Sequence, residues 1–309
     1  MVTAVTLNPC IDHTLMISRL IPGGHHETVR THEDVSGKGI NVNKVLQQLG
    51  VESGAVGFDF VGSGSQLGDC LREIHIPFAS VPVEGKLRIN TKIFDLERSE
   101  MTEINSKGTP VTQSDVQRLM EVFSASLAHT DILVLDGSVP PGVPDTIYAA
   151  MTHLAHDRGI PVILDASGML MKKGLEAQPE VIKPNREEAE QLLGRPVRDL
   201  QDAVSACREF RNLGIGAVCL SLGKEGAVYC NSEGAWFSPG LDIEVKSLQG
   251  AGDSMVAGIC IGMIRNDSGE GILRSASAAA HGSILLEGTS LCTAEDYCRF
   301  MECIPVEKL

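Results

Sequence analysis

From residue 112 onward the chain repeats one rhythm: a helical pattern, a short apolar strand, then a polar or glycine-bearing turn. Helical residues 113–128 precede a strand over 131–135 that ends at Asp136-Gly137-Ser138-Val139-Pro140-Pro141-Gly142. Residues 144–157 lead to a strand over 161–164 and the turn Asp165-Ala166-Ser167-Gly168. A short strand at Val181-Ile182 ends at Lys183-Pro184-Asn185 and opens an acidic helix. Residues 200–213 then precede a strand over 217–221 that runs into Leu222-Gly223-Lys224-Glu225-Gly226. Strands separated by helices favour parallel pairing, and parallel sheets collect ligand sites where their strands end. An α/β fold with one polar edge is expected.

The first third keeps this rhythm but interrupts it twice. Residues 2–7 form a β-branched strand closed by Asn8-Pro9, because proline cannot continue a ladder. Asp12, just beyond, is either a ligand contact at the sheet edge or a turn residue. Residues 13–34 gather His13, His25, His26, Glu27, His32, Glu33 and Asp34 around Pro22-Gly23-Gly24. Their spacing fits no metal-ligand template, so an exposed polar hairpin is expected. Residues 88–94 alternate as a strand, and 101–105 pair with it. Two hairpins inserted in a βαβ chain predict a small sheet over the main domain, a cover that keeps water from a reaction.

Between the hairpins, Ser36-Gly37-Lys38-Gly39-Ile40-Asn41 leads into a helix with Ser36 as the expected cap. Its glycines let a ligand approach the backbone, but no G-x-x-x-x-G-K-[ST] loop occurs in the chain. Gly62-Ser63-Gly64 followed by Gly68 misses a dinucleotide fingerprint by one residue, although Glu84 lies at a plausible distance to imitate its ribose-binding acid. A dehydrogenase is therefore not expected.

The formal net charge of −14 argues against a nucleic-acid surface, and means that an anionic substrate needs a local group of cations. Nine cysteines form no C-x-x-C pair and sit in apolar segments, so reduced core thiols in a cytoplasmic protein are expected. No apolar run approaches the roughly 18 residues of a membrane span.

Residues 243–247 read as strand and turn, and deliver the chain to Gly250-Ala251-Gly252-Asp253. Met255, Val256, Ile259 and Met263 then mark a helix. A glycine turn at a helix start gathers unpaired N–H groups at the positive end of the helix dipole, which suits an anion. Asp253 adds a carboxylate beside it, the pairing that phosphoryl transfer to an alcohol requires. The alternative is an ordinary acidic residue in a first helical turn.

The motifs in order resemble the ribokinase-like, or PfkB, carbohydrate kinases over essentially the whole chain. They are Thr6-Leu7-Asn8-Pro9-Cys10-Ile11-Asp12, Gly37-Lys38-Gly39-Ile40-Asn41-Val42, Arg88-Ile89-Asn90-Thr91-Lys92, Thr102-Glu103-Ile104-Asn105, Gly137-Ser138-Val139-Pro140-Pro141-Gly142, Lys183-Pro184-Asn185-x-x-Glu188, Ser221-Leu222-Gly223-x-x-Gly226 and Gly250-Ala251-Gly252-Asp253-Ser254. The chain looks most like the branch of 1-phosphofructokinases and tagatose-6-phosphate kinases. This resemblance implies a three-layer α/β/α sandwich with a mostly parallel central sheet. It implies one kinase domain over 1–309, with lid segments at about 9–34 and 85–106.

The resemblance also implies roles. Asp253 matches the catalytic base, and Gly250, Ala251 and Gly252 match the anion hole. Asp12, Gly37, Lys38, Gly39, Asn41, Asn90 and Ser138 match the sugar side, and Arg88 matches the reader of a substrate phosphate. Lys183, Asn185, Ser221, Gly223 and Gly226 match the ATP side, with Glu188 acting on Mg²⁺. A homodimer through the lid is implied as well, with no nucleic-acid or membrane partner. The acceptor implied first is fructose 1-phosphate. Tagatose 6-phosphate, an unphosphorylated sugar or nucleoside, and a non-catalytic sugar-binding regulator are alternatives. Three departures bear on this: Ser36 where relatives usually have glycine, the acidic hairpin near His26 and Glu27 where they tend to be basic, and Leu248-Gln249 in place of the usual Thr-Val.

Overall fold

A computed structural model describes residues 1–309 apart from Ser63, Glu287 and Thr289. In chain order its first elements are β1 (Val2–Thr6), β2 (Cys10–Ile17), β3 (Thr28–Ser36), α1 (Lys38–Gln48), β4 (Ser53–Phe60), α2 (Gln66–Glu73), β5 (Phe78–Val83), β6 (Arg88–Asp95) and β7 (Glu100–Asn105). Next come α3 (Gln113–Ser126), β8 (Ile132–Asp136), α4 (Ile147–His156), β9 (Val162–Asp165), α5 (Gly168–Leu175), β10 (Val181–Ile182), α6 (Arg186–Leu193) and α7 (Leu200–Asn212). The chain closes with β11 (Ala217–Ser221), β12 (Gly226–Asn231), β13 (Gly234–Pro239), α8 (Ala251–Ile264), α9 (Gly269–Ile284), α10 (Ala294–Cys303) and β14 (Glu307–Lys308).

The large sheet runs β14-β13-β12-β11-β10-β9-β8-β1-β4-β5. It is parallel from β5 to β11 and antiparallel from β11 to β14. All five residues of β1 are buried, because helices cover both faces of the sheet. Val5 and Leu7 face one core, shared with residues of α2 to α7. Val2 and Ala4 face the other, shared with α1, α8, α9 and α10. Three layers result, α/β/α.

The chain leaves β1 toward β4 and β5 on one side and returns to β8 on the other, so the strand order reverses between β1 and β8. Such a reversal opens a crevice beyond the strand ends. Thr6 is in register with Asp136, and Asp136 with Asp165, which sets three polar side chains in a row along that edge. The second sheet, β3-β2-β6-β7, holds both hairpins expected from the sequence and is separate from the first.

Some expectations fail locally. Ser36 ends β3 and does not cap α1; the cap is Gly37, at φ 152°, with no side-chain cap bond. Residues 243–247 form no strand, since the N–H groups of Lys246 and Ser247 go to Ile284 O at the end of α9. Helix α5 and the antiparallel strands β12, β13 and β14 are not expected from the sequence. All nine cysteines are unpaired, but Cys298 and Cys303 are exposed on α10 and are not core thiols. Among the described residues no helix is long and apolar enough to cross a membrane.

Candidate active site

Helix α8 begins without a side-chain cap. Gly250, at φ 73°, turns the chain in the left-handed region that glycine tolerates. The first hydrogen bond of the helix runs from Ser254 N to Gly250 O at 2.8 Å, so the amides of Ala251, Gly252 and Asp253 precede the regular ladder. Ala251 N makes a long contact of 3.4 Å to Leu248 O. Helix α1 starts uncapped as well. Gly37, Lys38, Gly250 and Asp253 all line one cleft of about 790 Å³, so two positive helix ends serve the same space. Gly39 lets α1 press against the sheet: a Cβ there would collide with Thr6 Oγ1 and lie 2.9 Å from Asp136 Oδ1.

Asp253 is 8 % exposed and accepts from Asn41 Nδ2 at 2.7 Å. Burial pushes its carboxyl above the usual range, while Lys38 and the Asn41 hydrogen bond oppose that rise. Asp165 bridges two lysines, with Lys38 Nζ at 2.9 Å from Oδ1 and Lys183 Nζ at 3.1 Å from Oδ2. Burial would raise the Asp165 carboxyl, but Lys183 and Lys38 outweigh it and hold it below its usual value. Asp136, also in the cleft, has no hydrogen-bond partner for either oxygen among the described residues. Burial, then the charges of Asp253 and Asp165, push it well above the usual range.

The small sheet lines the cleft opposite these groups. Asp12 receives Lys92 Nζ at 3.0 Å, Gln249 Nε2 at 2.8 Å and Asn90 Nδ2 at 3.3 Å. Arg88 is fixed by Nε to Asn8 O at 3.0 Å and by Nη1 to Ser106 O at 3.0 Å and Asn90 Oδ1 at 3.3 Å. Ser138 Oγ accepts from Asn8 Nδ2 at 3.2 Å. Lys38, Arg88, Lys92 and Lys107 line the cleft together with Asp12, Glu103, Asp136, Asp145 and Asp253. Lys38 and Lys92 are engaged by Asp165 and Asp12, so Arg88 and Lys107 are the cleft cations placed to meet an anion. Glu27 is exposed beyond the Ile17–Thr28 end of its hairpin. That is seven residues from Cys10, roughly 23 Å along the strand, and Glu27 is not among the cleft's lining residues. Its charge does not oppose a phosphate in this chain's own cleft.

The residues expected on the nucleotide side divide. Lys183 is 4 % exposed and reaches under the glycine turn, where a Cβ on Gly252 would lie 3.3 Å from its Nζ. It thus stands with Asp165 and Lys38, near Asp253. Asn185, Glu188, Ser221, Gly223 and Gly226 lie outside the cleft lining. Asn185 caps α6: its Oδ1 accepts from Glu188 N at 2.8 Å while Glu188 Oε2 accepts from Asn185 N at 2.9 Å. An isolated bridge couples Asn185 to Ser221. Gly223, at φ 62°, has open space where a side chain would be, so a ligand can lie against its backbone. Glu188 keeps Oε1 outside the capping box, and among the described residues no group of three His, Cys, Asp or Glu could hold a metal. Mg²⁺ suits such a site, because it takes one or two carboxylates and completes its shell with phosphate oxygens and water.

Several residues in the cleft, and Asp165 buried beneath it, carry no role from the sequence motifs. Asp136 and Asp165 were visible as strand-end acids, the signal that marks a ligand edge. Lys92, Glu103 and Asn105 lay within quoted motifs, whereas Lys107 gave no signal.

The pfkB family carbohydrate kinase model matches residues 5–296. The 1-phosphofructokinase of Escherichia coli strain K12 is 35% identical over 282 residues, covering 90% of this chain and 89% of that protein. A possible 1-phosphofructokinase from Thermotoga maritima is similar in structure, with TM-score 0.90, 28% identity, and 100% of this chain and 99% of that one covered. Phosphofructokinase-2 from Escherichia coli, solved with substrates and products, gives TM-score 0.90 and 27% identity over 97% of this chain and 98% of that one. The chain belongs to the pfkB family and is a carbohydrate kinase.

Proposed function

We propose that this chain transfers the terminal phosphoryl group of ATP to the 6-hydroxyl of fructose 1-phosphate, forming fructose 1,6-bisphosphate. One observation carries the reading: the buried Asp253 carboxylate lies at an uncapped helix start in a cleft that also holds Arg88 and Lys107. In this account Asp253 takes the proton of the acceptor hydroxyl as its oxygen bonds to phosphorus and the bond to the departing ADP oxygen breaks. The amides of Gly250, Ala251 and Gly252, with Lys38 and Lys183, stabilise the charge on the transferring group; donors already aimed there need not reorganise. Asp12, Gly37, Asn41, Asn90 and Ser138 orient the sugar, Gly39 acts only by letting α1 close on the sheet beside them, and Arg88 with Lys107 reads the phosphate it already carries.

Asn185, Ser221, Gly223 and Gly226 would hold ATP and Glu188 would hold Mg²⁺, which when bound neutralises phosphate charge. The small sheet would act as the lid of a single kinase domain. Its face away from the cleft bears Ile89 and Ile104, 47% and 58% exposed, which supports a homodimer joined there. Unpaired cysteines fit a cytoplasmic setting.

A coupled assay across sugars and sugar phosphates tests the acceptor. Fructose 1-phosphate should give the highest kcat/KM. Arg88→Met should raise KM for phosphorylated acceptors by about tenfold or more and leave unphosphorylated ones nearly unchanged. Best turnover of an unphosphorylated sugar would refute both the acceptor and the role of Arg88.

A further inference from the structure

Gln249 immediately precedes the glycine turn, and its side chain reaches away from the nucleotide side. Its Nε2 donates to Asp12 Oδ2 at 2.8 Å, across 237 residues of sequence. Its own backbone N–H is held by Ser247 Oγ at 3.2 Å, and that hydroxyl donates to Gly288 O at 2.9 Å. The loop is therefore tied down where the amide leaves it.

The two oxygens of Asp12 are unequally used. Oδ2 takes both short contacts, from Gln249 and from Lys92 Nζ at 3.0 Å. Oδ1 takes two weaker ones, from Asn90 Nδ2 at 3.3 Å and from the Cys10 thiol, a weak donor, at 3.5 Å. A carboxylate has about four lone-pair sites, so the oxygen with weak partners is the one a sugar hydroxyl can engage at least cost. Lys92 balances the charge of Asp12, but β6 and β2 are neighbours in the same small sheet, so that pair carries no information across the cleft. Gln249 does, because the next residue is Gly250 of the anion turn.

We infer that Gln249 is a positioning residue for the acceptor, holding Asp12 so that Oδ1 meets a sugar hydroxyl and linking that contact to the glycine turn. The inference rests on the kinase reading and deepens it. The residue that departs from the usual Thr-Val thus serves the acceptor side.

The test uses the full chain and whichever acceptor the panel turns over best. Gln249→Leu removes the donor, and Gln249→Asn keeps an amide too short to reach Asp12. Both should raise acceptor KM about tenfold, with nucleotide KM within about twofold and an unchanged melting temperature. Gln249→Glu, which sets a carboxylate against a carboxylate, should cost more. Combined with Asp12→Asn, the Gln249→Leu effect should shrink well below its value in the parent, because the two residues act as one unit. Unchanged acceptor KM in these variants, equal loss of both affinities, or additive effects with Asp12→Asn would overturn the inference and leave the kinase reading standing. A best acceptor other than fructose 1-phosphate would overturn that reading and leave this test intact.

Discussion

Asn41 Nδ2 donates to Asp253 Oδ2 at 2.7 Å, joining the first turn of α1 to the first turn of α8. The bond favours the ionised carboxylate and so opposes the upward push of burial on Asp253. Asn41→Leu should therefore raise the pKa of the proposed base. Since a base acts when ionised, the acidic limb of kcat/KM should move to higher pH. A pH profile with that limb unmoved, or moved to lower pH, would count against Asp253 as the titrating group.

Asp136 makes the opposite kind of prediction. It is 2 % exposed and faces Asp253, Asp165, Lys38 and Lys183, with Tyr148 OH on its own backbone carbonyl and Cys260 nearby on α8. A folded pKa well above 3.8 means that the native chain keeps a proton which the unfolded chain releases. Stability is then lost as pH rises from about 4 toward the folded pKa. Asp136→Asn should melt at least about 2 °C above the parent at pH 7–8, with the gap closing toward pH 4. A variant no more stable at pH 8 than at pH 4, relative to the parent, would show that Asp136 is ionised in the native protein.

Gly250→Ala tests the turn. At φ 73° a side chain is strained, and a Cβ would also collide with Leu291. The strain costs about 1–2 kcal/mol, so denaturant unfolding should show a loss of at least that size, together with a fall in kcat. Full stability and full activity would mean that the turn is looser than its geometry implies.

Much of the architecture was legible because strand–helix alternation, glycine turns and β-branched runs are local signals. The strand-end acids and the Gly250 turn announced the ligand edge in the same way. Other features depend on tertiary contact. The 243–247 segment has a strand's composition, yet its amides are claimed by the end of α9. Lys183 sits beside an asparagine that caps the next helix, but its side chain turns inward to Asp165. Nothing near Gln249 in sequence reveals that its partner is Asp12. Glu27 stands where relatives tend to be basic, but in this chain it lies beyond the Ile17–Thr28 end of the hairpin, outside the cleft lining.

The central claim is that Asp253 removes the proton from the acceptor hydroxyl. Single-turnover phosphorylation of fructose 1-phosphate by the parent and Asp253→Asn, with nucleotide affinity measured on both, tests it most directly. Asp253→Asn should lower the rate about 10²–10⁴-fold with nucleotide affinity within about threefold. An Asp253→Asn protein that keeps more than about a tenth of the parent rate at equal nucleotide occupancy would contradict it.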